Sequence, residues 1–392
     1  MSCGLLYIAR LAPFELLRGL EIPTGRANVR RSPMGFQGSR PVGAHAMQPG
    51  RPKSQEHPGR NRSRRAALAH NSGEPADRRE PHEGVLDTAR FEYLRGMSAL
   101  KGRRFGVIGA GQMGRGIAQV AAGTGFSVVL CDATKALAEA GKATIGGALA
   151  KLVDKGKISA EDRGGLLDRI TASDGLAGLA EVDIAVEAAT ENVEIKLGLF
   201  KEADRLLPKD SILASNTSSI SLTRLAGATS RPDRVIGMHF MNPVPLMKLV
   251  EIVRGLQTSD ATYDAVRDLS TQLGKTVITS KDAPGFLVNR MLIPFLNEAC
   301  FALEQGLGTP EDIDTGARLG LNHPMGPLEL ADLIGLDTTL FIAEVLHREF
   351  GDSKYRPATI LKNLVAAGWY GKKTGRGFYV YDEKGQKTGR SL

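Results

Sequence analysis

The amino-acid sequence predicts an α/β protein in which a doubly wound, mainly parallel sheet occupies residues 101–281. An all-helical C-terminal domain follows over residues 282–392, and a disordered basic extension precedes the sheet over residues 1–100. Three observations support this architecture. Short apolar runs alternate with helical patterns from residue 103, a glycine-rich turn follows the first run, and apolar residues recur at helical spacing after Asp282.

The extension differs in composition from the rest of the chain. Its first 96 residues hold nine of the 19 prolines, and 15 of its 16 basic residues are arginine. Without an apolar period, such a segment buries too little surface to offset the entropy of ordering it. One interpretation is an organellar transit peptide, which nine acidic residues oppose. The favoured hypothesis is that the segment has no folded role and that translation begins at Met97.

The distribution of charge gives no reason to expect a nucleic acid or a membrane as partner. The net charge is +8, yet the residues after position 96 hold 35 basic and 34 acidic side chains. A balanced body presents no single-sign surface to DNA, RNA or anionic lipid.

No apolar run approaches the roughly 18–20 residues of a membrane-spanning helix. Three cysteines without a CxxC spacing argue against a disulfide framework and a cysteine zinc site, and no metal site is predicted.

A dinucleotide fingerprint opens the sheet. The strand-like run at residues 105–108 leads directly into a glycine-rich turn and a helix with an apolar face. The residues of this turn with predicted cofactor contacts are Gly109, Gly111, Gln112, Met113 and Gly114. The first glycine permits the tight turn, the second lets the backbone approach a pyrophosphate, and the third lets helix and strand pack closely. The free N–H groups at the helix start suit phosphates, so a Rossmann-type domain is predicted.

Asp132 ends the second strand, at the spacing expected for a residue that binds a ribose diol. A carboxylate there repels a 2′-phosphate, which favours NAD over NADP. Lys135 lies close enough to leave the choice of cofactor open.

Further apolar runs at residues 182–186, 211–214, 234–238 and 248–253 continue the strand pattern. Ligands in such sheets bind just beyond the carboxyl ends of strands, where Glu191, Lys196, Ser218 and His239 fall. A surface ion pair at a helix start is an equally good interpretation of Glu191 and Lys196.

His239 and Glu251 form the candidate reacting pair. Glu251 lies in the otherwise apolar run 249–253 and needs a partner, because burying a lone carboxylate is costly. The turn between the two strands can return Glu251 to His239, giving an imidazole base whose tautomer the carboxylate fixes. A core His–Glu pair without chemistry is the alternative. With a nicotinamide cofactor, such a base implies oxidation of an alcohol, and Ser218 and Asn289 are the polar candidates to polarise the oxygen.

Four blocks of sequence resemble the L-3-hydroxyacyl-CoA dehydrogenase family, most of all the compact bacterial 3-hydroxybutyryl-CoA dehydrogenases. They are the glycine-rich turn at 109–114 and the segments 214–219, 237–251 and 281–290. The resemblance covers roughly residues 101–383 and none of the first 96. It implies NAD-dependent, reversible oxidation of an (S)-3-hydroxyacyl-CoA, short-chain in preference, to the 3-oxo thioester.

The resemblance also implies roles for individual residues. His239 is the catalytic base, Glu251 is its partner, and Ser218 and Asn289 contact the hydroxyl and thioester region of the substrate. The implied cofactor contacts are Asp132, Glu191, Lys196, Ser218, Asn242 and, from the C-terminal domain, Lys373, although the adjacent Lys372 competes for that role.

Lysines between the second strand and residue 182 extend the implied substrate site. Lys151 and Lys155, with Lys157 nearby, suit the phosphates of coenzyme A, although lysines on a solvated helix face are also common. A homodimer and a cytoplasmic location are expected, the latter in preference to the mitochondrial matrix. Two other functions stay open. One is a dehydrogenase of a free hydroxy acid or sugar acid (gulonate-type) on the same fold, and the other is a non-catalytic NAD-binding protein.

Overall fold

The computed structural model of the protein describes residues 104–392, and its central element is an eight-stranded sheet. The strands are β1 Arg104–Ile108, β2 Ser127–Asp132, β3 Ile170–Asp174, β4 Ile184–Glu187, β5 Ile212–Ser215, β6 Val235–Phe240, β7 Leu249–Arg254 and β8 Thr276–Lys281. They lie in the order β3-β2-β1-β4-β5-β6-β7-β8, and the β6–β7 pair alone is antiparallel in this sheet. The predicted mainly parallel, Rossmann-type sheet is confirmed.

Helices follow the strands as the alternating pattern predicts. Within the sheet region they are α1 Gln112–Gly123, α2 Lys135–Asp154, α3 Ala160–Asp168, α4 Val193–Leu206, α5 Leu222–Ala226 and α6 Asp260–Gln272. The C-terminal part contains α7 Val288–Glu304, α8 Pro310–Thr315, α9 Pro327–Ile334, α10 Leu336–Phe350 and α11 Thr359–Ala366. It also ends in an antiparallel hairpin of β9 Tyr379–Tyr381 and β10 Lys387–Arg390, so the C-terminal part is helical but not all-helical.

Local sequence explains these elements. The inner strands are buried on both faces, which is why they consist of continuous apolar runs; all six residues of β6 are buried. Helices α2 and α4 begin where the side chains of Thr134 and Asn192 accept hydrogen bonds from backbone N–H groups of the first turn. Since β1, β4, β5 and β6 are parallel neighbours, the loops that follow them meet at one edge of the sheet.

Several predictions fall outside this description. The extension of residues 1–100, with its transit-peptide and Met97 hypotheses, lies outside the described residues. The division of the chain between residues 281 and 282 stays a prediction. None of the helices formed by residues 104–392 is long and apolar enough to cross a membrane.

Candidate active site

The glycine-rich turn after β1 has the backbone geometry that its sequence predicts. Gly109 has φ +104°, and a Cβ there would lie 2.8 Å from the carbonyl oxygen of Ala188. A Cβ on Gly114 would overlap the carbonyl oxygen of Gly109, so only glycine lets α1 pack this closely on the turn. A Cβ on Gly111, in contrast, would meet nothing within 4 Å. The second glycine therefore faces open space, where a ligand can approach the backbone.

The start of α1 is open to an anion. Its N-cap, Gly111, provides no side-chain hydrogen bond, and the first turn carries no acidic residue. The first N–H groups of the helix are therefore available, with the positive end of the helix dipole behind them. Gln112 reaches away from this turn, and its Nε2 donates to Asn242 Oδ1 at 3.0 Å. These features fit the pyrophosphate of a dinucleotide.

Asp132 connects the end of β2 to the glycine-rich turn. Its Oδ2 accepts from the N–H of Ala110 and its Oδ1 from the N–H of Ala133, both at 2.7 Å. A carboxylate can accept about four hydrogen bonds, so it retains capacity for a ribose diol. The neighbouring Cys131 is no nucleophile, because burial raises the pKa of its thiol to about 11.

His239 and Glu251 lie opposite each other in the antiparallel pair β6–β7. Nδ1 of His239 is 3.0 Å from Oε2 of Glu251, whose side chain is fully buried. The His239 ring also makes an edge contact with Phe286, at 5.8 Å between centroids. Because Nδ1 faces a carboxylate, it carries the proton in the neutral ring, and Nε2 then holds the lone pair.

Glu251 also contacts the helix that carries Asn289. Its Oε1 accepts hydrogen bonds from the N–H groups of Leu287 and Val288 at the start of α7. Phe286, immediately before, has φ +49°, in the left-handed region that a phenylalanine rarely adopts. The first turn of the helix that carries Asn289 is thus bonded to Glu251.

A second polar network joins the ends of β4 and β5. Glu191 accepts from the backbone N–H of Ser218 at 2.7 Å, from its Oγ at 3.0 Å, and from the hydroxyl of Thr217. Lys196 is 1% exposed, and its ammonium lies 2.7 Å from Glu187 and 3.5 Å from Glu191. A simple surface ion pair is therefore the wrong description of Glu191 and Lys196.

Glu187 is the member of this network that the sequence analysis missed. It is fully buried and also accepts hydrogen bonds from Ser215 Oγ and from the N–H of Ala189. A signal was present, because Glu187 is an acidic residue in an otherwise apolar run at a strand end. Like Glu251, a carboxylate in such a run needs a partner, because burying it alone is costly.

The other lysines predicted to bind ligands, Lys151, Lys155 and Lys373, lie outside this network. Lys151 and Lys155 are exposed at the C-terminal end of α2. Lys373 is 2.6 Å from Asp337 and lies over the ring of Tyr370, so the contacts that the structure gives it are within the C-terminal part.

The two remaining histidines of the described chain make no contact with this site. His323 stacks on Phe295 at 4.8 Å, and His347 is exposed on α10.

The sheet, the open glycine-rich turn and the His239–Glu251 pair together define a dinucleotide-binding oxidoreductase. Comparison with known proteins agrees. Residues 104–283 match the model of the 3-hydroxyacyl-CoA dehydrogenase NAD-binding domain, and residues 285–381 match the C-terminal domain of the same family. The chain belongs to the 3-hydroxyacyl-CoA dehydrogenase family.

Relatives and solved structures support this membership. The chain is 53% identical over 279 residues to 3-hydroxybutyryl-CoA dehydrogenase of Bradyrhizobium diazoefficiens, covering 71% of this chain and 95% of the relative. It is 44% identical to the human mitochondrial hydroxyacyl-coenzyme A dehydrogenase, covering 70% and 90%. Among crystal structures, (S)-3-hydroxybutyryl-CoA dehydrogenase PaaH1 of Ralstonia eutropha is 53% identical with a TM-score of 0.70, covering 72% and 99%.

Proposed function

We propose that this protein is an NAD-dependent dehydrogenase that oxidises (S)-3-hydroxyacyl-CoA to 3-oxoacyl-CoA, reversibly, with short-chain 3-hydroxybutyryl-CoA as its substrate. The observation that carries the proposal is the 3.0 Å contact between His239 Nδ1 and the buried Glu251 carboxylate. It fixes the imidazole with its basic nitrogen available to a substrate. The similarity to 3-hydroxybutyryl-CoA dehydrogenases over nearly their whole length supports the substrate assignment.

His239 and Glu251 divide the proton chemistry between them. In the oxidative direction Nε2 of His239 takes the proton of the substrate hydroxyl, and Glu251 stabilises the imidazolium that results. In the reductive direction the imidazolium returns this proton to the carbonyl oxygen. The nicotinamide, when bound, supplies the hydride chemistry.

Ser218 and Asn289 differ in what they can offer the substrate. The hydroxyl of Ser218 donates its hydrogen to Glu191, so toward a ligand it is left as an acceptor. The buried side chain of Asn289 makes no hydrogen bond to any other described residue. Its amide can therefore donate to the carbonyl oxygen as charge develops there. We assign donation to Asn289 and acceptance to Ser218.

Cofactor binding is assigned to the glycine-rich turn with Gln112 and Met113, to Asp132, and to the network of Glu191 and Lys196. Asn242 completes this set through its contact with Gln112. The acidic end of β2 supports NAD rather than NADP. The contacts of Lys373 give its predicted cofactor role no support.

The coenzyme A end of the substrate is assigned to the exposed lysines at the end of α2, Lys151 and Lys155. Positive charge at the tip of the α2–α3 hairpin suits phosphate groups. Exchange of both residues for glutamine should raise KM for acetoacetyl-CoA and leave KM for NADH unchanged.

A homodimer in the cytoplasm completes the proposal. Large apolar side chains of the C-terminal part are strongly exposed, as a subunit interface requires; they are Met291, Leu307, Leu319, Leu321, Leu333 and Phe341. Comparison of the sedimentation of the wild type with that of Leu319→Lys tests whether these side chains form a dimer interface. Three bacterial relatives are 52–53% identical to the chain, whereas the mitochondrial relatives are 44–45% identical, which supports the location.

One assay separates the candidate functions. NADH oxidation is followed at equal enzyme concentration with acetoacetyl-CoA, free acetoacetate and a keto sugar acid. Turnover of the thioester alone supports the proposal. Turnover of a free acid alone indicates a gulonate-type dehydrogenase, and NADH binding without any turnover indicates a non-catalytic NAD-binding protein.

A further inference from the structure

Lys275 is a buried lysine whose ammonium binds backbone oxygens. It lies between α6 and β8 with 8% of its surface exposed, and Nζ donates to the carbonyl oxygens of Val244 at 2.6 Å and Met247 at 2.9 Å. Desolvation lowers the pKa of Lys275, and no carboxylate among the described residues offsets that effect. Burial of an amine is costly unless it is hydrogen-bonded, and these two carbonyl groups supply the hydrogen bonds.

The backbone that Lys275 binds is the loop of residues 241–248, which connects β6 to β7. The loop begins two residues after His239 and carries Asn242. On its other side it rests on α1: Val244 is buried, and a Cβ on Gly116 would lie 2.8 Å from Val244 Cβ. Asn242 also accepts the hydrogen bond from Gln112 at 3.0 Å. The loop is thus held between the dinucleotide helix and the ammonium of Lys275.

The position of Lys275 is itself fixed by backbone contacts. Its N–H donates to the carbonyl oxygen of Ser270 at the end of α6, and the N–H of Thr276 donates to Lys248 at 2.6 Å, where β8 joins β7. The ammonium therefore extends from a rigid corner of the sheet. A compact tetrahedral donor in that place can bind two carbonyl groups of one loop at once.

We propose that Lys275 is a positioning residue for the cofactor site, which acts by holding the 241–248 loop so that Asn242 stays against Gln112. The inference rests on the proposed function, because Asn242 is assigned there to cofactor binding. Without the ammonium, two inward-facing carbonyl groups lose their donor and the loop shifts toward water. NADH affinity should then fall while the His239–Glu251 pair, which lies in the strands, stays assembled.

The test is a double-mutant cycle on the full chain with NADH fluorescence as readout. Lys275→Met should raise the Kd for NADH about tenfold, the loss of roughly one charged hydrogen bond. KM for acetoacetyl-CoA should change less than about twofold. In an Asn242→Ala background, the same Lys275→Met change should raise the Kd less than about twofold, because the residue through which Lys275 acts is gone.

The control is Lys248→Met, which removes an exposed lysine from the same loop without removing the donor to these carbonyl groups; it should bind NADH as the wild type does. Equal losses of NADH affinity from Lys275→Met in both backgrounds, or none in either, would overturn the inference. If Lys275→Met does not fold, Lys275→Ala, which also removes the ammonium donor, takes its place in the cycle. A wild-type protein that does not bind NADH would overturn the proposed function itself, and this inference with it.

Discussion

Glu251 and Leu287 are joined by a hydrogen bond that crosses from the sheet to the first helix of the C-terminal part. The carboxylate of Glu251 accepts from the N–H of Leu287 with one oxygen and faces His239 with the other. The same side chain therefore orients the candidate base and caps the helix that carries Asn289.

Glu251→Gln should separate these two tasks. If the amide oxygen keeps the N–H of Leu287, the amide NH₂ faces His239 Nδ1 and imposes the tautomer with hydrogen on Nε2. The base then has no lone pair for the substrate, and kcat should fall about 10²- to 10⁴-fold. Hydrogen exchange should show the Leu287 and Val288 amides still protected.

The matched control for Glu251→Gln is Glu304→Gln. Glu304 also accepts from a helix-start N–H, that of Ile360, but it makes no contact with His239. Its kcat should stay within about twofold of the wild type. A Glu251→Gln enzyme of wild-type kcat would remove Glu251 from the chemistry and leave it a structural role only.

His239→Gln should lower kcat by about 10²- to 10⁴-fold, the usual contribution of a positioned general base. NADH affinity should remain near the wild-type value, because no contact in the structure links the imidazole to the glycine-rich turn. Steady-state kinetics and NADH fluorescence measure the two quantities. His347→Gln, on the exposed face of α10, is the control and should be indistinguishable from the wild type. Loss of NADH binding in His239→Gln would contradict the assignment of His239 to proton transfer and not to cofactor binding.

Asp132→Asn should weaken NADH and improve the relative use of NADPH. The amide removes the charge that strengthens a ribose hydrogen bond and repels a 2′-phosphate, so KM for NADH should rise about 10- to 100-fold. The ratio of kcat/KM for NADH to that for NADPH reports the change. Lys135→Ala tests the competing assignment, because a fall in NADPH use there would show that Lys135 binds the phosphate.

The sequence predicted the inner strands of the sheet and missed both edges. Inner strands such as β6 are buried on both faces and therefore consist of apolar runs. The edge strands β3 and β8 are only partly covered, and polar residues fill three of the five positions of β3 and four of the six of β8. No apolar run was present to detect, and tertiary pairing alone makes these segments strands.

In the candidate site, too, some contacts could be predicted from residue type and others could not. His239 and Glu251 could be paired from sequence because a hairpin-like return sets their register and a lone buried carboxylate requires a partner. The contacts of Glu251 with Leu287, and of Lys275 with Val244, join segments 36 and 31 residues apart. Backbone acceptors and donors leave no trace in residue type, so these contacts required the structure.

A buried carboxylate in the C-terminal part gives a prediction for stability. Asp332 is 1% exposed in α9, and its oxygens accept from the N–H groups of Phe378 and Tyr379 and from the hydroxyl of Tyr381. It thereby ties the β9 segment to the helices. Burial raises the pKa of Asp332 from 3.8 to about 6 despite these hydrogen bonds.

Because the pKa of Asp332 is higher in the folded than in the unfolded protein, the folded state binds the extra proton between about pH 4 and pH 6. The contribution of Asp332 to the free energy of unfolding should therefore fall as pH rises through this range, and be lowest above pH 7. Between pH 5 and pH 8 the fall should be roughly 1–2 kcal/mol.

Urea unfolding of the wild type and of Asp332→Asn at several pH values isolates the contribution of Asp332 to the free energy of unfolding. Asp332→Asn removes one acceptor oxygen at every pH, so the variant is less stable throughout. The difference in free energy of unfolding between the two proteins should nevertheless be larger at pH 5 than at pH 8. Glu383→Gln, at an exposed position of the same segment, should show a constant difference from the wild type. If the Asp332→Asn difference is also constant, the carboxylate is ionised throughout and its hydrogen bonds outweigh its burial.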